Sequence, residues 1–167
     1  MDATTLAEYR ANRDEFFRQD HQSPIPHDER AGFIGLSYYE WDPDLVFTAP
    51  VAGGNRSSVT IATSDGAERT YYHAGKLDLP IAGDTVTVHV YDTGHPGLFL
   101  PFRDATSGKE TYGAGRYLDL QPNHDGTVTV DFNLAYHPFC AYRDAYSCAL
   151  PPVANWLTVP IEAGERS

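Results

Sequence analysis

Side chains that change character at every second residue constrain this chain more than any other feature. In Thr85-Val86-Thr87-Val88-His89-Val90-Tyr91 the three valines fall on one side and Thr85, Thr87 and His89 on the other. A β-strand turns that period into two faces. The run 127–133 repeats it: Val128, Val130 and Phe132 share a face, while Asp131 and Asn133 extend the threonine face. Turn signals separate such runs. Ser64-Asp65-Gly66 lies between 57–63 and 69–73, Ala82-Gly83-Asp84 follows 76–81, and His124-Asp125-Gly126 precedes Thr127. Residues 45–50, 98–102, 113–120 and 156–161 read as further strands. With about eight or nine short strands and frequent turns, the expected architecture is an antiparallel β barrel or sandwich.

Residues 1–32 follow a different period. Thr5-Leu6-Ala7-Glu8 matches a capping box. Leu6, Tyr9, Phe16 and Phe17 then share one helical face, with Arg10, Arg13, Asp14 and Arg18 mostly elsewhere. This predicts a short N-terminal helix of about fourteen residues, laid across one opening or face of the sheet. Pro24 and Pro26 end it, and 27–31 adds one more turn before Gly32. No linker or repeat interrupts the 167 residues, which read as a single β domain with 1–32 packed on it.

The net charge of −11 excludes the basic footprint that nucleic acids or anionic membranes require. Lysine occurs only at 76 and 109, and Asp outnumbers Glu. That bias fits a high-salt cytoplasm or a GC-rich genome equally well. The opening Met1-Asp2-Ala3-Thr4-Thr5 has no basic-then-apolar leader, and no apolar run spans a bilayer, so the expected location is cytoplasmic. Cys140 and Cys148 are too few for a disulfide scaffold and are expected to be reduced there.

Chemistry concentrates between Asp131 and Asn155, where an imidazole, two thiols and several tyrosines share a long irregular connection. His137, Cys140 and Cys148 lack the second close pair of a structural zinc site, so no metal and no cofactor is expected. A thiol nucleophile at Cys140 would need a neighbouring imidazole, with Asp131 or Asn133 to orient it. Ser107-Gly108-Lys109 is not a phosphate loop, because the first glycine and the hydroxyl after the lysine are missing. Asp104 instead suits a β-turn. On a strand, Arg116 shares its face with Leu118 and Leu120, so it is either paired, with Asp131 one candidate, or an anion clamp. His73 and His89 both lie on strands and could approach each other.

Several fragments together carry a resemblance. They are Phe102-Arg103-Asp104 with Thr106, Gly108 and Tyr112; Gly115-Arg116-Tyr117; Asp131-Phe132-Asn133; Pro138-x-Cys140-Ala141-Tyr142; and Cys148-x2-Pro151-Pro152 with Asn155. The chain resembles a family of uncharacterised prokaryotic proteins catalogued as a domain of unknown function. His137 stands where that family has Asn before the proline, and Ala149 where it has Pro. The resemblance directs attention to Arg103, Asp104, Tyr112, Arg116, Asp131, Asn133, Cys140, Tyr142 and Cys148.

These residues suit a polar and aromatic pocket that takes a small-molecule ligand without chemistry of its own. One alternative is a hydrolase or transferase using Cys140 or Asp131 with Arg116. Another is a protein-interaction module through 136–152. Neither nucleic acid nor membrane is an expected partner.

Overall fold

The alternating runs become antiparallel strands in a computed structural model that describes residues 1–167. The strands are β1 (Ser37–Tyr38), β2 (Val46–Pro50), β3 (Ser58–Ala62), β4 (Glu68–Ile81), β5 (Asp84–Asp92), β6 (Leu98–Phe102), β7 (Arg116–Leu120), β8 (Thr127–Asp131) and β9 (Glu165–Arg166). Five of them form a sheet in the order β3-β4-β5-β6-β7, while β2 pairs with β8 and β1 with β9. The architecture is therefore sandwich-like. Bridges at Ala52–Lys76 and Pro122–Val128 tie the two larger sheets at their edges without closing a barrel.

The core lies between those sheets. Leu77, Leu79, Val88, Val90, Leu100, Leu118 and Leu120 from the five-stranded sheet meet Ala49, Val128 and Val130 from the β2–β8 pair, and all are buried. These are the apolar partners of each alternating run, so the period that formed the strands also filled the core.

Three expectations about the strands are revised. Residues 69–73 and 76–81 belong to one 14-residue strand, β4, whose register shifts by a bulge between His73 and Gly75. Gly75 has φ +150°, and a Cβ there would meet Val51 Cγ1 at 2.5 Å, so the bulge lets the end of β2 approach closely. Residues 156–161 are not a strand. Pro160 has no N–H to give a ladder, and the segment bonds to Arg103 and Ala105 at single points instead. Asp131 and Asn133 do not extend an exposed face, because the chain turns into a 3-10 helix at Phe132–Leu134 and buries both.

The helix α1 (Ala3–Gln19) runs 17 residues, and its N-cap is Asp2, whose carboxylate accepts from the Thr5 amide. Asp2 precedes the helix with extended φ and ψ, the geometry a cap needs, which displaces Thr5 into the helix. Phe17 is buried against Tyr142, with ring centroids 5.0 Å apart, and against Phe33 and Phe139. Arg13 also points inward: its guanidinium donates to Glu165 at 2.9 Å. The helix thus packs on the irregular 139–142 connection and the β9 strand. No helix of the chain is long and apolar enough to cross a membrane.

Candidate functional site

The outer face of the five-stranded sheet carries aromatic rings where an exposed face would usually carry polar groups. Tyr71 on β4, Phe99 on β6 and Tyr117 on β7 stand in edge-to-face contact, Tyr71–Phe99 at 5.8 Å and Phe99–Tyr117 at 4.7 Å. The connection 135–150 crosses above them. At one end the backbone of Tyr136 pairs with that of Tyr117 in both directions. At the other, Leu150 N–H donates to the Ala62 carbonyl, Ser64 N–H to the Cys148 carbonyl, and the Arg69 guanidinium to the Ser147 carbonyl.

Sheet and connection border an open groove of about 800 Å³, walled by six aromatic rings: Tyr71, Phe99, Tyr117, Tyr136, Phe139 and Tyr146. Tyr117 donates its hydroxyl to the Ala149 carbonyl, and Tyr136 donates to Asp119 at 2.6 Å, so these two walls offer ring faces. Burial raises both phenols well above their ordinary range. Arg69 and His95 line the groove, and no carboxylate does.

The residues singled out from the sequence occupy four places. Tyr112 comes together with Cys140, Tyr142 and Cys148 of the connection. Tyr112 donates its hydroxyl to Cys140 Sγ at 3.6 Å, and the Cys140 amide donates to Cys148 Sγ at 3.3 Å. Both thiols are free and buried. Burial, with Cys140 alongside, pushes the Cys148 thiol up to about 11. Among the singled-out residues, Cys148 alone lines the groove. Tyr112 and Tyr142 instead line a smaller cavity of about 350 Å³ on the far side, with His137 and Glu165.

Arg116 and Asp104 form the second place. Arg116 is fully buried and donates to the carbonyls of Ile161, Ala163 and Glu165 at 2.6–3.0 Å, with Asp104 Oδ2 at 3.5 Å. Asp104 also accepts from Thr106, Ser107 and the Ile161 amide. The guanidinium's partner is therefore Asp104 rather than Asp131. It sits on the inner face of β7, opposite the groove, because it shares the alternation of Leu118 and Leu120. Asp131 and Asn133 are the third place. Asp131 accepts from the Asn133 amide and side chain, and Asn133 grips both backbone groups of Asp42. Arg103 is the fourth, stacked over the Trp156 ring at 4.5 Å.

His137 is held as a neutral acceptor. Its Nε2 takes the Tyr112 amide at 3.2 Å. Burial, followed by the Arg116 and Arg13 charges, pushes it down to about 3. An imidazole so placed activates no thiol at neutral pH.

Sequence reasoning missed Arg69, Tyr71, Phe99 and Tyr117 as site residues. The signal was available: in 116–120 and 69–72, aromatic rings occupy outward positions of otherwise alternating strands. An apolar ring on the solvent side of a sheet implies a cover or a ligand.

Comparison with known proteins adds lineage. The family model described as "Protein of unknown function (DUF1684)" matches residues 31–166. Among solved structures, the chain is similar to an uncharacterized protein from Haloarcula marismortui determined by solution NMR. The two are 43% identical with a TM-score of 0.75, over 98% of this chain and 93% of that one. No curated protein matches.

Proposed function

We propose that this chain, which belongs to the DUF1684 family of proteins of unknown function, binds a small molecule in the groove under residues 135–150 and carries out no chemistry of its own. The observation that supports this reading is the aromatic groove itself, of a size that suits a small-molecule ligand. Its walls present ring faces that stack on a flat apolar body. Arg69 and His95, in a chain of net charge −11, favour an anionic group on that body. Asp119 and Asp65 accept from the hydroxyls of the wall residues Tyr136 and Ser147. The free, buried thiols suit a reducing cytoplasm.

Two observations favour binding over the alternatives. Cys140, Asp131 and Arg116, the residues of the enzyme alternative, do not line the groove, and His137 is turned to the other cavity, its Nε2 accepting from the Tyr112 amide. The chain's exposed large apolar side chains include Ile34, Val153 and Trp156 but none within 136–152, whose rings at Tyr136, Phe139 and Tyr146 line the groove instead.

The test uses 2-naphthoate and 2-naphthylmethanol as probes, read by NMR shifts of the Tyr71, Phe99 and Tyr117 rings. Both probes are expected to shift these rings. Arg69→Gln is expected to weaken naphthoate by about tenfold, roughly 1.4 kcal/mol, and to leave the alcohol unchanged. Silence of the groove signals towards both probes at millimolar concentration would refute the reading.

A further inference from the structure

Two histidines outside the groove meet across neighbouring strands. His73 is opposite Tyr91, and Lys76 is opposite His89. Along a regular ladder His73 and His89 would be separated diagonally. The bulge between His73 and Gly75 adds a residue to β4 beside this diagonal pair, whose rings are in contact. His73 Nε2 and His89 Nδ1 stand 2.9 Å apart, with ring centroids at 5.1 Å.

Both rings are carried by restrained backbone. The fully buried Asn155 accepts from the His89 amide at 2.8 Å and donates to its carbonyl at 2.8 Å. His73 donates its amide to the Ser57 carbonyl and accepts from the Arg56 amide. The side chains are half-buried, so water and small ions reach them.

We infer that His73 and His89 form a two-nitrogen chelate for a divalent transition-metal ion that prefers 90° between neighbouring ligands, Cu²⁺ first and Ni²⁺ after it. Two nitrogens each about 2.0–2.1 Å from a metal stand roughly 2.8–3.0 Å apart at 90° and roughly 3.3–3.4 Å apart at the tetrahedral angle. The pair's 2.9 Å is the length of its N–H···N hydrogen bond, and a rotation of the rings that keeps this spacing would turn both lone pairs onto one ion at about 90°. The order of intrinsic affinities, with Cu²⁺ at its head, points the same way.

In the ion-free pair, one ring donates its N–H to the other's lone pair. Metal binding moves that proton to the ring's outer nitrogen and frees both facing lone pairs, with no net proton release from a neutral pair. His89 is already biased towards the neutral form by burial, His73 and Lys76. Lys76 opposes the cation, and no third His, Cys, Asp or Glu stands close enough to complete a cage. Water or an incoming small ligand therefore fills the remaining positions, which makes the site exchange-labile.

The experiment titrates the full chain separately with Cu²⁺, with the redox-silent Ni²⁺, and with Zn²⁺ at pH 7.4. Paramagnetic broadening by Ni²⁺ and Cu²⁺ is expected to appear first at His73 and His89 in the unaltered protein. His73→Gln and His89→Gln are each expected to lower affinity for both ions by about tenfold or more, with the remaining amide spectrum unchanged. Broadening that begins at other histidines, or a double variant that binds Ni²⁺ as the parent does, would overturn the site. Zn²⁺ bound at the pair as tightly as Cu²⁺ would overturn the 90° assignment.

Discussion

Asn155 is the residue whose removal the structure makes most consequential for its size. Its side chain is fully buried between β5 and β6, where those strands share a single registered pair, Tyr91–Phe99. It takes up the His89 amide, the His89 carbonyl and the Pro101 carbonyl at 2.8–2.9 Å. Asn155→Ala strands one buried donor and two buried acceptors. At about 1–3 kcal/mol for each unsatisfied group, the expected loss is about 4 kcal/mol. That is a large share of the roughly 5–15 kcal/mol by which domains are stable. With an unfolding entropy near 2.1 cal/mol/K per residue over 167 residues, the melting temperature should fall by about 11 K.

Urea titration followed by circular dichroism measures the free energy, and hydrogen exchange at the His89 amide reports the local effect. Protection at His89 should fall further than protection at Leu79 or Val130. Asn155→Asp keeps an oxygen for the His89 amide but faces two carbonyls with a charge. It should be no better than alanine at neutral pH and should recover in acid. A loss below about 1 kcal/mol in the alanine variant, with His89 protection intact, would refute the reasoning.

Two further predictions follow from buried titratable groups. His137 is neutral in the folded chain down to about pH 3, whereas an unfolded histidine binds its proton below about 6.5. Its contribution is complete above pH 6.5 and is lost as pH falls towards 3, with a slope of up to about 1.4 kcal/mol per pH unit. Glu165, 3.6 Å from Nδ1, opposes that slope. In urea titrations between pH 6 and 4, His137→Asn should flatten the pH dependence, and an unchanged slope would count against the assignment. For Cys148, a thiol raised to about 11 carries about a hundredfold less thiolate at pH 7 than an ordinary one. Iodoacetamide labelling followed by peptide mass spectrometry should show Cys148 reacting at least about a hundredfold more slowly when folded than in urea. A difference below tenfold would refute this reading of Cys148.

Much of the fold was legible because alternation is a local property. Val86, Val88 and Val90, like Val128, Val130 and Phe132, needed nothing beyond a period of two to be assigned to the core. The capping residue was missed because Asp2 and Thr5 both suit a cap, and local sequence does not choose between them. The merging of 69–73 with 76–81 depends on what β2 does at Val51, far along the chain. The site was less legible. Cys140, Tyr142 and Cys148 gathered because they share one connection, and Tyr112 reaches them from the β6–β7 loop through its hydroxyl on Cys140 Sγ. Arg116 found Asp104 rather than Asp131, because its face of β7 looks towards residues 161–165. Groove residues from β4, β6 and β7 become neighbours through strand order, which the sequence states nowhere.

The inner guanidinium also has a bearing on how the chain is made. Arg116 leaves the ribosome on the strand that edges the large sheet, but its carbonyl acceptors follow 45 to 49 positions later. Until that stretch has emerged, the nascent β-sheet carries a hydrated cation where its core should close, and burying it early would strand the charge. Closure of this half of the molecule must therefore wait on distant segments, the long-separation pairing that slows folding. A pause in translation between the two would prolong the exposure of an unfinished sheet.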